Sequence, residues 1–500
     1  MMRDNYKQIC EGKDLRTNVA ALRKELSDEH SLRDFQKLTG GDYRWLYALL
    51  RNSDPKVRKN ACALFGQCRP EKAASVLWNA YLEEKTLFVR SAYLKALDVF
   101  DCAFLRDELR TQEHLLMVSE ISEEDRKHRA EELAALRHIL GRYEQKKKHV
   151  FRMPAHSPDV ILITNRMQRE VTRDQVMTGM CRMLAGGVRV SGGDLRELLQ
   201  IRTVEEYLFP VPQCQALTGE PAQIGSALST SGLLRFLQNM HMPQEGVPFY
   251  FRMDVRGQIP AEKKGAFIRR ISDALERGTD TMLRADASDY EVEIRLLQKK
   301  DGSFVPIVKL FSLPDTRFAY RLGQTSESIA PYNAALAIAL ARPYLKEGAQ
   351  ILDPFCGVGT MLIERAKAGK CGMLFGVDLY GQAVSLGREN AESAEVPVNF
   401  INRDFFTFRH DYPFDEVISD LPRQCHDPLT GDTIRPEELL QSFFEKIPEL
   451  LKDEAVLVLY SPHTELIRSC AAVDPQFSEE NVFPVNEKNG TGVVILRYRK

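Results

Sequence analysis

Apolar residues recur at helical spacing through roughly the first 150 residues, where alternating strand-like runs are nearly absent. Two segments align with each other, since Val57-Arg58 and Val89-Arg90 each follow a polar turn and open an Ala-rich amphipathic helix. Their spacing of 32 residues suits paired-helix repeats that bury their apolar faces by stacking. The pattern predicts an all-α region over residues 1–150, and a plain helical bundle remains the alternative to a repeat array.

Residues 157–325 change to a mixed pattern of short strands and helices. Strand-like runs such as DVILITN and PFYFRMDVRG surround helical segments such as AEKKGAFIRRISDALERG. Two alternating runs flank the turn Lys300-Asp301-Gly302, which predicts a β-hairpin. This order of elements is typical of an α+β domain.

Residues 326–500 alternate short apolar runs with helical segments. Five runs are β-rich: GAQILDPF, GMLFGVDL, VNFINRDF, FDEVISDL and AVLVLYSP. They predict a parallel sheet covered by helices on both faces. The turn Asn489-Gly490 between two further runs predicts a terminal hairpin, and therefore an antiparallel edge.

The composition restricts the class of protein but does not identify a function. A chain of 500 residues with 44% apolar and 28% charged residues is typical of a soluble protein of several domains. The net charge of −2 leaves only local patches for nucleic-acid binding. The ten cysteines form no C-x-x-C pair, which favours reduced thiols and no metal site. Without a signal peptide or an apolar run of membrane-spanning length, we expect a cytoplasmic protein.

A glycine-rich turn leads from a strand into a helix in ILDPFCGVGT. The free amides of a helix N-terminus favour an anionic or polar ligand close to the main chain. Either a dinucleotide or S-adenosylmethionine would suit this turn. Leu362 stands where the third glycine of the dinucleotide fingerprint belongs, which disfavours the dinucleotide.

Four aspartates end consecutive predicted strands: Asp353, Asp378, Asp404 and Asp420. Ligands of such sheets bind at the carboxyl ends of the strands, where these acids are expected to meet. Asp378 can accept hydrogen bonds from ribose hydroxyls, and Asp404 from an adenine amine with Phe405 beside the ring. Taken singly, each aspartate also suits a helix N-cap.

The form D-P-F-C-G-x-G-T resembles motif I of methyltransferases that act on exocyclic amino groups, and the predicted sheet resembles that of class I enzymes using S-adenosylmethionine. The resemblance implies that Asp353 lies near the methionine ammonium. The segment SIAPYNAALAIALARPYL is similar to the helix that precedes the first strand in the same family. The cofactor-binding residues implied in this way are Asp353, Pro354, Phe355, Gly357, Gly359, Thr360, Asp378, Leu379, Asp404, Phe405, Ser326 and Pro331.

The stretch SDLPR, at the end of the fourth strand, resembles the N/D-P-P-Y/F motif of these enzymes. An exocyclic amine is a poor nucleophile, so two acceptors of its N–H bonds are needed to turn its lone pair toward the methyl group. By this resemblance Asp420 supplies a carboxylate, Leu421 a carbonyl and Pro422 rigidity. Arg423 replaces the aromatic residue that stacks on the base. A guanidinium can stack or bind phosphate, but the exchange could equally mean lost activity.

The middle region, from LLQIRTVEEYLFPV to FAYR, is similar to the ferredoxin-like and THUMP region of RNA-modifying enzymes. The resemblance implies an RNA-binding module. The candidate RNA contacts are Lys263, Lys264, Arg269 and Arg270, with a solvated helix face as the alternative. The piece SDPKVRKNA resembles a HEAT repeat. For the N-terminal region, a protein partner or an extra RNA surface is a hypothesis that no motif in the sequence supports.

Together these resemblances imply a methyltransferase that uses S-adenosylmethionine to modify the exocyclic N2 amine of guanine in tRNA. One alternative keeps the chemistry and changes the substrate to ribosomal RNA guanine or DNA adenine. The other is a scaffold that binds the cofactor without catalysis.

Overall fold

The computed structural model describes residues 2–119, 121–122, 124–143, 147–423, 425–426 and 433–500. The chain divides into two compact units. The first contains Met1–Lys148, Gly246–Pro248 and Asp273–Arg284, and the second contains the remaining segments. Among the helices described, none is both long and apolar enough to cross a membrane.

The first unit is helical, as its pattern predicts. Its described helices are α1 Met2–Cys10, α2 Leu15–Glu25, α3 Glu29–Thr39, α4 Arg44–Leu49, α5 Pro55–Cys68, α6 Ala73–Glu83, α7 Leu87–Leu97, α8 Arg106–Val118 and α9 Arg126–Gly141. The two aligned segments open α5 and α7, which confirms that each begins a helix. Their equivalent arginines both pair with a buried glutamate, Arg58 with Glu84 and Arg90 with Glu132, at 2.7 Å in each case.

The middle of the chain, most of which lies in the second unit, forms a mixed eight-stranded sheet with the order β2-β3-β1-β4-β8-β7-β5-β6. Its strands are β1 Val160–Ile163, β2 Met180–Leu184, β3 Gly187–Ser191, β4 Glu206–Pro210, β5 Phe249–Arg256, β6 Leu283–Ala285, β7 Val292–Gln298 and β8 Phe304–Leu310. Its helices are α10 Arg169–Arg173, α11 Leu195–Leu198, α12 Pro221–Ser229, α13 Leu233–Met240 and α14 Ala261–Gly278. The predicted hairpin is confirmed, because β7 and β8 pair antiparallel across the turn at Asp301.

The C-terminal part of the second unit forms a seven-stranded sheet with the order β11-β10-β9-β12-β15-β17-β16. Its strands are β9 Ile351–Asp353, β10 Leu374–Asp378, β11 Val398–Asn402, β12 Phe414–Asp420, β15 Leu451–Ser461, β16 Phe477–Asn486 and β17 Thr491–Tyr498, and a separate short ribbon is made of β13 Cys425–His426 and β14 Thr433–Ile434. Its helices are α15 Pro331–Ala341, α16 Thr360–Ala368, α17 Gly381–Ser393, α18 Pro436–Lys446 and α19 Thr464–Ala471.

Both predictions for this sheet are confirmed. The first five strands in the order pair parallel, whereas β17 pairs antiparallel with β15 and with β16, as a terminal hairpin requires. Successive residues of β15 enter different clusters, with Val456 and Val458 in one and Leu457 and Leu459 in the other. Since alternate side chains of a strand point to opposite faces, the sheet has an apolar core on each side.

Candidate active site

Three of the predicted aspartates lie close together at the carboxyl edge of the seven-stranded sheet. Asp353 ends β9, Asp378 ends β10 and Asp420 ends β12. The pKa of Asp353 is raised to about 8, chiefly by burial and in addition by the negative charges of Asp378 and Asp420. The order β10-β9-β12 places Asp353 on the central strand of the three. The sequence-based prediction that these acids converge is therefore consistent with the structure.

Asp353 is held in place by two neutral donors. Ser419 Oγ donates to Asp353 Oδ1 at 2.6 Å, and the backbone N–H of Phe355 donates to the same oxygen at 3.1 Å. Both bonds favour the ionised form and lower the pKa, but burial of a side chain only 1% exposed outweighs them. Asp353 is thus a buried acid whose negative charge lacks a cationic partner in the described chain.

Asp378 connects its own turn to the glycine-rich turn. Its Oδ2 accepts from the backbone N–H of Gly357, and its Oδ1 from that of Tyr380, each at 2.8 Å. Gly357 and Gly359 have φ values of 52° and 79°, in the left-handed region that favours glycine. Burial raises the pKa of Asp378. The carboxylate therefore fixes the turn and still offers lone pairs to a ligand.

Asp404 follows β11 and caps a short helical turn, which is the alternative to cofactor binding that its sequence position also suits. Its Oδ1 accepts from the backbone N–H of Phe406 at 3.0 Å and caps a short 3-10 turn. The ring of Phe405 is buried against Phe355 and Phe443, with centroid distances of 5.5 and 5.8 Å. Cofactor contacts for Asp404 and Phe405 remain predictions.

The turn after β12 is anchored to the neighbouring strand. Asp420 lies opposite Tyr460 in the parallel register, and the backbone N–H of Leu421 donates to the carbonyl of Tyr460 at 3.0 Å. The Leu421 side chain is buried, whereas Pro422 is half-buried and Arg423 exposed. The turn after Asp420 is consequently held by the hydrogen bond of Leu421 and by the rigid ring of Pro422.

Charges near Asp420 act on it in opposite directions. Burial raises the pKa of Asp420 to about 7, the Arg423 guanidinium lowers it and the Glu327 carboxylate raises it. Glu327 and Arg423 line a cavity of about 610 Å³ together with Ile434, Arg435, Pro436, Pro462, His463 and Asn489. This volume is within the range of small-molecule sites.

The remaining predicted cofactor positions differ in their exposure. Pro354 and Pro331 are buried, and Leu379 is 38% exposed at the tip of β10. Thr360 begins α16, and its buried Oγ1 has no hydrogen-bond partner in the described chain. Ser326 is exposed beside the cavity-lining Glu327. Their contacts to a cofactor stay predictions.

The four candidate RNA contacts lie on α14 in the middle region. Lys263, Arg269 and Arg270 are exposed, while Lys264 is half-buried and pairs with Asp254 at 3.4 Å. The ion pair gives Lys264 a structural role that the sequence pattern did not predict. RNA binding by these residues remains a prediction.

Sequence reasoning missed four residues of this edge: Tyr460, Glu327, Arg435 and His463. Tyr460 could have been found, because it lies one residue before the end of the fifth parallel strand, level with Asp420 on the neighbouring strand. The other three come from separate loop and helix starts, and no spacing in the sequence places them at one cavity.

The site fits a ligand that carries positive charge. Asp353 and Asp378 receive neutral donors only, as far as the chain is described, so a cation would relieve their burial. The unpartnered Thr360 hydroxyl and the left-handed glycines offer polar contacts at the start of α16. S-adenosylmethionine, with a sulfonium, an ammonium and ribose hydroxyls, has this chemistry. No group of His, Cys, Asp and Glu suited to a metal ion occurs among the described residues.

Comparison with known proteins assigns this part of the chain to a domain type. The model of the RMKL-like methyltransferase domain, UPF0020, matches residues 321–489. A tRNA (guanine(10)-N2)-dimethyltransferase of Methanothermobacter thermautotrophicus is 29% identical over 136 residues, which are 27% of this chain and 38% of that protein. A ribosomal protein L11 methyltransferase of Thermotoga neapolitana is 30% identical over 100 residues, or 20% of this chain and 37% of that protein.

A solved structure shares the fold over a longer part of the chain. The crystal structure of TrmN from Thermus thermophilus has a TM-score of 0.51 at 19% identity, and the match covers 68% of this chain and 99% of TrmN. The two sequence relatives are matched over less than two fifths of their own length. The comparisons therefore concern the domain and its fold.

Proposed function

Since residues 321–489 are a class I methyltransferase domain that uses S-adenosylmethionine, we propose that the chain methylates the exocyclic N2 amine of guanine in tRNA. One observation carries the proposal. Asp420 is a half-buried carboxylate on a rigid turn, and its charge acts on Asp353 in the acid cluster. Asp420, which would accept a hydrogen bond from the substrate amine, and the candidate cofactor residues thus belong to one site.

The turn after β12 gives an amine two acceptors. The Asp420 carboxylate accepts one N–H, and the Leu421 carbonyl the other, on a peptide that Tyr460 and Pro422 fix. Holding both N–H bonds turns the nitrogen lone pair outward, so that positioning rather than a covalent intermediate supplies the rate. The bound cofactor supplies an electrophilic methyl group.

The ionisation of Asp420 suits an amine acceptor. With a pKa raised to about 7 by burial, the side chain is ionised in a large fraction of molecules near neutral pH. The ionised form is acceptor-only, whereas the protonated form carries an O–H donor. Arg423 favours that form, which gives this arginine a role at the position where the resembled motif has an aromatic ring.

RNA is favoured over other acceptors by the rest of the second unit. The middle region, which resembles a THUMP region, presents exposed Lys263, Arg269 and Arg270 on α14 for phosphate contacts. One sequence relative is named for tRNA guanine and another for a ribosomal protein, so the matched residues alone do not choose the acceptor. The N-terminal helices would bind a partner protein or extend the RNA surface, in the cytoplasm.

The experiment that tests the proposal incubates the full chain with methyl-labelled S-adenosylmethionine and separate pools of total tRNA, ribosomal RNA and ribosomal proteins. The proposal predicts label in tRNA that nucleoside mass spectrometry assigns to N2-methylated guanosine. Label in ribosomal RNA guanosine would change the substrate. Label in protein, or cofactor binding without transfer to any pool, would contradict the proposal.

A further inference from the structure

The cavity beside Asp420 has its own charged groups. Glu327 and Arg423 both line this cavity, and the charge of each acts on the Asp420 carboxylate. Both side chains therefore lie within electrostatic range of Asp420. Arg435 also lines the cavity, but its Nε already donates to Glu438 at 2.9 Å. Among the described residues that line this cavity, Glu327 thus offers a carboxylate and Arg423 a guanidinium for recognition of a ligand beside Asp420.

The described part of the chain makes no use of the Glu327 and Arg423 side chains for its own hydrogen bonds. Within the described part of the chain, no hydrogen bond joins Glu327 or Arg423 to another residue, and both are exposed to the cavity side of the edge. Elsewhere in this domain, by contrast, charged side chains pair with each other, as Arg365 and Glu416 do at 2.9 Å. An acceptor and a donor left unpaired beside a reactive carboxylate suit a ligand that supplies the opposite groups.

The chemistry of the bases separates guanine from the other amine-bearing bases. In guanine, a ring nitrogen next to the exocyclic amine, N1, carries a hydrogen. In adenine and cytosine the ring nitrogen next to the amine, N1 or N3, carries only a lone pair. An ionised carboxylate accepts and never donates, so it pairs with the guanine edge and repels the other two. A guanidinium complements it by donating to O6 or N7 of guanine.

We propose that Glu327 is the specificity-determining residue of this site and selects guanine by accepting a hydrogen bond from N1–H while Asp420 holds the neighbouring amine. Arg423 assists by donating to the acceptor atoms of the same base. The inference rests on the proposed function, because it assumes that the amine bound at Asp420 belongs to a nucleobase. It adds the residue that decides which base is accepted.

Binding of three labelled oligoribonucleotides, UUGUU, UUAUU and UUCUU, tests the inference. Fluorescence anisotropy is measured with the full chain in excess S-adenosylhomocysteine, so that binding is read without turnover. The unmutated chain is expected to prefer UUGUU by about tenfold, the usual worth of one well-formed base contact. Glu327→Gln should remove most of this preference, because an amide accepts from guanine N1–H and also donates to the ring nitrogen of adenine or cytosine.

Glu438→Gln is the matched control. It removes the same charge from a residue that pairs with a cavity-lining arginine but does not itself line the cavity. The control should keep the preference of the unmutated chain. Two results would overturn the assignment of Glu327. In one, Glu327→Gln keeps a preference for UUGUU within twofold of the unmutated value. In the other, the unmutated chain shows no preference for UUGUU.

A transfer assay separates this inference from the proposed function. If the unmutated chain methylates guanine in UUGUU or tRNA but Glu327→Gln keeps its base preference, Glu327 is wrong and the function stands. If guanine is preferred in binding, the preference is lost in Glu327→Gln, and no RNA is methylated, then Glu327 selects guanine and the methylation proposal fails.

Discussion

Ser419 Oγ donates a hydrogen bond of 2.6 Å to Asp353 Oδ1 and so joins the ends of β12 and β9, the two strands that carry the proposed acceptor and cofactor residues. The hydroxyl is one of the two described groups that stabilise the ionised form of a carboxylate that is almost fully buried. The residue immediately before Asp420 therefore favours the ionised form of the residue that the cofactor is expected to meet.

Replacing Ser419 by alanine should weaken S-adenosylmethionine binding. Loss of the hydroxyl raises the pKa of Asp353 further, since burial and the neighbouring acids then meet less opposition. A hydrogen bond to a charged group contributes about 1.5–3 kcal/mol, and we expect a loss of that order at pH 7 by titration calorimetry. Ser461→Ala, which removes a buried hydroxyl at the tip of β15, serves as the control. Equal affinities in the two variants would contradict the role of Ser419.

Cofactor affinity should depend on pH between about 6 and 8. The folded pKa of Asp353, the acid expected near the cofactor, is about 8 and lies above the ordinary value of 3.8, so this acid is protonated below pH 8. A cationic ligand favours its ionised form and must release a proton on binding. Affinity should therefore rise with pH in this window, by up to about tenfold per pH unit for each proton released, and level off above it.

Titration calorimetry in two buffers of different ionisation enthalpy measures the released protons directly. S-adenosylhomocysteine lacks the sulfonium charge and should show a shallower dependence. An affinity for S-adenosylmethionine that is flat from pH 6 to 8 would mean that Asp353 is not titrated by the ligand. The same shifts act on the ligand-free fold in the opposite sense, because its stability should fall as the pH rises from about 4 to 8.

A buried ion pair should contribute to the stability of the methyltransferase domain. Arg365 Nε and Glu416 Oε2 lie 2.9 Å apart, with both side chains at most 4% exposed. Glu416→Ala leaves the arginine charge buried without its partner, which is expected to cost about 3–5 kcal/mol of unfolding free energy. Urea denaturation measures the change. Glu438→Ala, which breaks an exposed pair, should leave the unfolding midpoint unchanged, and a similar midpoint for both variants would contradict the prediction.

The positions of the acids could be predicted because they follow from local pattern and topology. A parallel sheet brings the carboxyl ends of its strands to one edge, and Asp353, Asp378 and Asp420 each end a recognisable apolar run. The terminal hairpin was predictable for a similar reason, since Asn489-Gly490 is a strong turn signal between two strand-like runs.

The lining of the cavity beside Asp420 could not be predicted, because it depends on contacts between distant segments. Glu327 precedes α15, Arg435 precedes α18 and His463 precedes α19, and only the folded chain brings them to one cavity. The N-cap role of Asp404 shows a second limit of prediction from sequence. Its position after a strand suits both a ligand and a cap, and sequence alone leaves both readings open.

The most direct test compares Asp420→Ala with Asp378→Ala in two assays, methyl transfer to tRNA and S-adenosylmethionine binding. Asp420 is expected to touch the methyl acceptor, so its replacement should abolish transfer and leave cofactor affinity within a few-fold. Asp378 holds the Gly357 N–H and is expected to meet the ribose, so its replacement should weaken cofactor binding by about 1–3 kcal/mol. The reverse order, with transfer retained in Asp420→Ala or cofactor binding lost in it, would contradict the account.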